Sequence, residues 1–325
     1  MRKNLLVLII LLLSGPLLAN PLDPVLKGQI TVHQHYGAMI EAYQNERWQK
    51  LAYKCEDLIA DFPQSPFARE GLYYLGVAYF KLGEFEYANQ AFSSYLKEEL
   101  TPKFFDQTIR YKFEIACAFD EGARRHLFGW QRMPKWLPAD EEALNIYDEV
   151  ITTLPRDDLS AHSLYRKGRL LLSLKEYKPS IEAFRTLIRR FPKNPLAPEG
   201  YLGIANVYLT QCETEFPDSD RLDQAEINLR KFRYHFPSEP RLSEAEKMLL
   251  GMKEKLAQDL LEIAEFYVRT HKGQAAAIYF ATIVKKYPET KAAQKSQKQL
   301  KKLDVPNIYS EKKQEENAVI VDSSN

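Results

Sequence analysis

Residues 72–100, LYYLGVAYFKLGEFEYANQAFSSYLKEEL, decide how the rest of the chain is read. Leu72, Leu75, Gly76 and Tyr79 predict one apolar stripe with a small residue on a first helix. Gly83 allows a turn, and Phe85 plugs it. Ala88, Phe92 and Leu96 then face back from a second helix. Small residues at Gly76 and Ala88 let the two helices approach closely, and large ones fill the remaining groove.

The second half of this unit recurs along the chain. It reads Trp48, Leu51, Cys55, Leu58, Ile59, then Ala143, Tyr147, Val150, Ile151, then Tyr177, Ser180, Phe184, Leu187, Ile188. It returns as Leu222, Ala225, Leu229, Phe232 and as Gly273, Ala276, Phe280, Ile283, Val284. First helices carry Gly168 and Leu171, Ala205 and Tyr208, Ala264 and Tyr267 at matching places. Each unit closes on an aromatic or apolar residue followed by proline: Phe62-Pro63, Leu154-Pro155, Phe191-Pro192, Phe236-Pro237 and Tyr287-Pro288, with Thr101-Pro102 a degraded sixth. Proline cannot continue a helix, so each mark ends one and angles the next. Successive prolines lie 39, 53, 37, 45 and 51 residues apart. A helix-pair repeat runs about 34 residues, so the longer gaps read as insertions.

The residue order resembles the tetratricopeptide (TPR) repeat. The expected fold is all-α, a right-handed α-α superhelix of about six helix pairs. The units are expected at about 32–63, 67–102, 104–155, 159–192, 196–237 and 241–288, within a solenoid spanning 32–303. An irregular helical bundle is the competing reading. With 27% charged and 45% hydrophobic residues the composition is that of an ordinary globular domain. A net charge of +1 supplies no global field for nucleic acid.

The first twenty residues read as an address. Arg2 and Lys3 precede the apolar run Leu5 to Leu13. Ser14, Gly15 and Pro16 break it, and Leu17-Leu18-Ala19 offers a small residue for cleavage. This is the order of a secretory signal, expected over 1–19, followed by a linker over 20–31. An uncleaved anchor is the alternative, although nine apolar residues fall short of the about 20 that span a bilayer. No cysteine near the cleavage region offers a lipid-attachment site. After Leu303 the periodicity stops, and residues 304–325 are expected to form a disordered tail.

Export raises the question of disulfides among Cys55, Cys117 and Cys212. Cys55 and Cys117 occupy apolar contexts, where cysteine packs as a small hydrophobe. Cys212 ends a first helix and is expected to be the most exposed. From Leu242 to about Thr270 only Gly251 interrupts the helical pattern, and Leu242, Ala245, Leu249, Met252, Leu256 and Leu260 predict one long helix.

Between Gly122 and Asp140 the third unit loops out. Trp130 and Trp136 lie there with Arg124, Arg125, Arg132 and Phe128. Tryptophan and arginine are the residues most often energetic at interfaces, and a loop this long inside a compact domain is usually functional or disordered. Two expectations stand: the loop contacts a partner, or its aromatics fold back over the solenoid. A second insertion, Glu213 to Asp220, reads as a solvated loop.

No catalytic constellation is legible. His33 and His35 are two apart on a helix and point to different sides. The remaining histidines are solitary, and there is no HExxH, phosphate loop, CxxC or serine elbow. Asp157-Asp158 and Glu141-Glu142 belong at helix starts. The chain is expected to be non-catalytic, without metal or cofactor.

The C-terminal third narrows the resemblance. Met252-Lys253-Glu254-Lys255-Leu256-Ala257, Ala264-Glu265-Phe266-Tyr267 and Lys286-Tyr287-Pro288-Glu289-Thr290 are similar to the BamD family. That family is the periplasmic helical-repeat component of the machine that assembles outer-membrane β-barrels. Leu127-Phe128-Gly129 with its proline-ended insertion is similar to the family's interrupted middle repeat. The chain departs from the family in lacking its N-terminal lipid-bearing cysteine and in carrying about one extra repeat. The resemblance implies a periplasmic protein, peripheral at the outer membrane. It implies N-terminal units that receive unfolded outer-membrane protein clients and C-terminal units that hold the barrel-forming core subunit. Tyr36, Tyr43, Tyr73 and Tyr74 are candidates for the client-binding face, with Arg124, Phe128, Trp130, Arg132 and Trp136 from the loop. A general envelope adaptor linking envelope or division proteins is the alternative function, and an enzyme domain is a more distant one.

Overall fold

The computed structural model describes residues 31–98, 101–215 and 218–303. The signal segment over 1–19, nearly all of the linker and the tail over 304–325 lie outside the described residues. Thirteen α-helices are present among them. They are α1 (Val32–Gln44), α2 (Trp48–Asp61), α3 (Pro66–Lys81), α4 (Phe85–Glu98) and α5 (Phe105–Asp120). After a two-stranded ribbon come α6 (Asp140–Thr153), α7 (Asp158–Ser173), α8 (Tyr177–Arg190), α9 (Ala197–Thr214) and α10 (Ser219–His235). The long α11 (Leu242–Arg269), α12 (Gly273–Lys286) and α13 (Lys291–Leu303) close the series. The chain divides into two compact units, Met1–Tyr111 and Lys112–Asn325, with the boundary inside α5. From α1 to α4 in the first unit and from α6 onward in the second, consecutive helices pack side by side. The protein is all-α in a tetratricopeptide-like arrangement, and the single long helix expected from Leu242 is α11.

Two kinds of turn punctuate these helices. Phe62, Leu154, Phe191, Phe236 and Tyr287 are C-caps, with φ between −137° and −120° and ψ between 53° and 64°. Proline's ring disfavours the helical region for the residue before it at a helix end, and the same backbone recurs at all five. Each cap carbonyl then accepts the N–H three residues on, at Ser65, Asp157, Asn194, Glu239 and Thr290. The other turn closes α1, α3, α5, α7 and α11 through a left-handed residue: Glu46, Gly83, Gly122, Lys175 and His271. The N–H after each reaches back five residues, as Glu84 to Tyr79 and Glu176 to Leu171, both at 2.8 Å. This double closure satisfies carbonyls that the helix end would otherwise leave open.

Glycine fits this conformation at Gly83, where φ is +74°, but Lys175 adopts φ 63° with a side chain attached. A left-handed L-residue costs roughly 1–2 kcal/mol. Lys175→Gly is therefore expected to raise stability by about 1 kcal/mol, and Gly83→Ala to lower it by a similar amount. Urea denaturation of the two variants checks the pair.

The core is a row of aromatic rings on the second helices. In the first unit Phe92 is wholly buried and stacks on Tyr111 at 5.3 Å. In the second unit Tyr147, Phe184, Phe232 and Phe280 are each fully buried. The small residues opposite them set the helix spacing. A Cβ on Gly76 would stand 2.5 Å from the Phe92 ring. Phe184 is seated against two glycines, where a Cβ would fall 2.7 Å away at Gly168 and 2.6 Å away at Gly203. Ser180 donates to the Gly168 carbonyl at 2.7 Å, which only close helices allow. Lys112 is a buried exception among these apolar positions, its ammonium 2.8 Å from Glu149. Burial pulls the Lys112 pKa down, against the upward pull of that carboxylate.

Cysteine chemistry differs from expectation at one position. All three cysteines are free, and Cys212 is 1% exposed, against its expected exposure. It packs with Tyr208, Leu222, Met252 and Leu256, because the long α11 covers the end of α9. Burial pushes the thiols of Cys55, Cys117 and Cys212 up from their ordinary value, which disfavours the reactive thiolate.

Candidate functional site: an exposed aromatic loop

The insertion of the second unit is built from its base outward. β1 (Arg125–His126) pairs antiparallel with β2 (Lys135–Leu137), Arg125 opposite Leu137 and His126 opposite Lys135. His126 is buried, and its Nδ1 lies 2.6 Å from the Met133 carbonyl oxygen. Leu127 N–H donates to Pro134 O at 3.1 Å, and Met133 N–H to Trp130 O at 2.8 Å. Arg125 is ion-paired to Glu142 on the first turn of α6. Arg124 donates to the Trp136 carbonyl at 3.0 Å and holds the far strand. The loop is thus an ordered ribbon held at its base by Arg124, Arg125 and the buried His126.

Its aromatics face outward. Phe128 is 71% exposed, Trp130 63% and Trp136 64%. The Phe128 and Trp130 rings sit 6.4 Å apart at 59°. Arg132 is exposed beside them. The rings do not cap the helical core. Three large aromatics on water have no folding gain to explain them, and such rings are the ones that anchor interfaces.

Phe128 also has φ 58° and ψ 13°, the left-handed region, inside a 3-10 turn over Leu127–Gly129. A bulky residue there is strained, and strain of this kind gathers where function over-determines a conformation. Phe128→Gly is expected to hold or raise stability by up to about 1 kcal/mol while weakening partner capture. A melting curve run beside a binding isotherm reads both effects. Neither the strain nor the anchor roles of Arg125 and His126 were marked in the sequence, where His126 looked solitary.

The tyrosine candidates lie in the first unit, and two of them belong to its core. Tyr73 is 6% exposed and stacks on Phe104 at 4.2 Å, and Tyr74 is 8% exposed with its edge toward the same ring. This corrects their expected place on an open face. The apolar stripe of α3 is centred on Tyr73, Tyr74 and Val77, so Leu72 and Leu75 are only half-buried. Tyr36 and Tyr43 remain half-buried. Tyr36 donates to Glu70 at 2.9 Å, and burial together with that carboxylate pushes its pKa up. Tyr43 packs edge-on against Trp48 and Tyr74.

His33 and His35 are spent on packing, edge-on against Phe67 at 5.1 Å and Phe62 at 5.4 Å. No group of three or more metal-capable side chains occurs among the described residues. No described helix is long and apolar enough to cross a membrane.

The fold is that of a tetratricopeptide-repeat module, a class that binds other proteins. A tetratricopeptide-repeat family model matches residues 70–99 and 162–194. A model described as an outer membrane lipoprotein matches residues 201–314. The outer membrane protein assembly factor BamD of Vibrio cholerae is 30% identical over 79 residues, 24% of this chain and 33% of that one. The chain thus matches about a third of the length of that relative, and its relationship to the BamD-like proteins is a distant one.

Similar solved structures include MamA, at 14% identity and TM-score 0.38, covering 63% of this chain and 92% of that one. They also include a thermophilic TPR protein of Thermus thermophilus, at 19% identity and TM-score 0.31, covering 68% and 100%.

Proposed function

We propose that this chain is a non-catalytic scaffold of the bacterial envelope that supports insertion of outer-membrane β-barrels. In this reading it holds the barrel-forming core subunit and receives unfolded outer-membrane proteins. The match of residues 201–314 to the outer membrane lipoprotein model carries the reading, because it spans α10 to α13 and most of α9. Exposed apolar side chains on this stretch, Phe266 on α11 and Ile278 on α12, give it surface with which to hold a folded subunit. The exposed rings of the loop suit a different task. Aromatic contacts accept many sequences, as a receiver of varied unfolded chains requires.

Photo-crosslinking in cells tests the reading. A photoreactive phenylalanine analogue at Phe266 or Ile278 is expected to crosslink to the barrel-forming core subunit, and one at Trp130 to unfolded outer-membrane proteins. Products made only of peptidoglycan-linked or division proteins would overturn it in favour of an envelope adaptor.

A further inference from the structure

In the second unit, α8, α9 and α10 enclose an open cavity of about 340 Å3. Tyr201, Ile204 and Tyr208 of α9 line it together with Ile188 and Ile227. Its charged side chains are of one kind. Arg185 and Arg189 stand one turn apart on α8, Lys231 and His235 one turn apart on α10, and no aspartate or glutamate lines the cavity. Arg185 is partly answered, by Glu182 at 2.9 Å and by the Tyr208 hydroxyl at 3.4 Å. Arg189 and Lys231 are exposed, and neither forms an ion pair among the described residues. The His235 ring stacks over Tyr201 at 6.3 Å.

Arg185 and Arg189 on one wall and Lys231 on the other focus positive potential into the cleft. The chain as a whole carries a net charge of only +1, so this is a local arrangement and not a side effect of composition. An anionic occupant relieves the repulsion. The Arg189 guanidinium is shaped to take a carboxylate in a fork, and Lys231 supplies a point charge opposite. Between them the tyrosine and isoleucine floor takes an apolar side chain. A space of this size receives one or two side chains of an extended segment.

We propose that this cavity binds an acidic segment of a partner protein, with carboxylates on Arg189 and Lys231 flanking an apolar side chain over Tyr201 and Tyr208. The proposal rests on the reading of the chain as a protein-binding scaffold and adds a chemical class of partner. It concerns a surface separate from the aromatic loop.

The test uses the purified chain and a fluorescein-labelled decapeptide of alternating glutamate and phenylalanine. The same peptide with glutamine for glutamate is the control. The acidic peptide is expected to bind at least tenfold more tightly, and the preference to shrink as salt is raised. Arg189→Glu with Lys231→Glu is expected to abolish the preference, and Arg189→Gln with Lys231→Gln to reduce it. Lys295→Glu with Lys298→Glu makes the same charge change on α13 and is expected to keep it. All variants alter exposed side chains, and circular dichroism checks their folding. Equal affinity for the two peptides, or a preference that survives the double reversal, overturns the proposal. Crosslinks at Phe266 that persist in the double-reversal variant would show that the scaffold reading stands apart from the cavity.

Discussion

Phe184→Ala is expected to lower stability by about 3–5 kcal/mol, the range for removing a fully buried phenylalanine from a packed core. The ring is wholly buried and lies against Gly168 on α7 and Gly203 on α9. Its loss leaves a hole between three helices, and helices held apart by the rest of the array close such a hole poorly. The converse change is also costly. Gly168→Ala sets a methyl group 2.7 Å from a ring that has no free side to move to, and overpacking of this kind costs about 1–3 kcal/mol. Combining Phe184→Leu with Gly168→Ala is expected to cost less than the sum of the two single changes, because the smaller side chain makes room for the methyl. Urea unfolding of the four proteins supplies the cycle. Strict additivity would mean that the glycine is not there to seat the ring.

The second large effect is on binding. Trp130→Ala with Arg132→Ala is expected to weaken capture of an unfolded outer-membrane protein by about 2 kcal/mol or more, a loss of about thirtyfold. Because Trp130 is 63% exposed and Arg132 exposed, the melting temperature is expected to move by less than about 2 °C. Anisotropy of a labelled β-barrel protein diluted from urea reads the affinity, and differential scanning calorimetry reads the fold. A fall in melting temperature that accounts for the lost binding would make the loop a structural cap. Unchanged affinity in a folded variant would remove the loop from the functional surface and turn attention to Tyr36 and Tyr43.

The architecture was legible because its determinants are local. A proline after an aromatic or apolar helix end favours one backbone conformation, and five such dipeptides make five matching turns. Gly76 and Gly168 were readable as places of close approach for the same reason. Where geometry depends on neighbours several helices away, local reading failed. Cys212 ends a first helix and reads as exposed, but α11 covers it. Tyr73 and Tyr74 read as candidates for the client-binding face, yet their rings pack on Phe104, which lies beyond the next helix. The left-handed turns at Glu46, Lys175 and His271 carried no glycine to announce them. The loop is legible as an insertion in the repeat spacing, rich in tryptophan and arginine. Whether its rings faced solvent depended on the pairing of Arg125 with Leu137 and on the grip of His126, neither of which has a sequence pattern.

The ribbon bears on how such a chain acquires new tasks. Its strands run antiparallel, so it leaves the helical array and returns to it at nearly one point, between the turn at Gly122 and the start of α6 at Asp140. The tip outboard of His126 and Lys135 is an appendage on a scaffold that the second half of α5 builds with α6 and the helices after it, as the Lys112–Glu149 pair shows. Such a junction lets the appendage lengthen, shorten or change its residues over generations without a toll on folding. The same junction makes it a graft site, where a hairpin of foreign sequence can be presented on a rigid base.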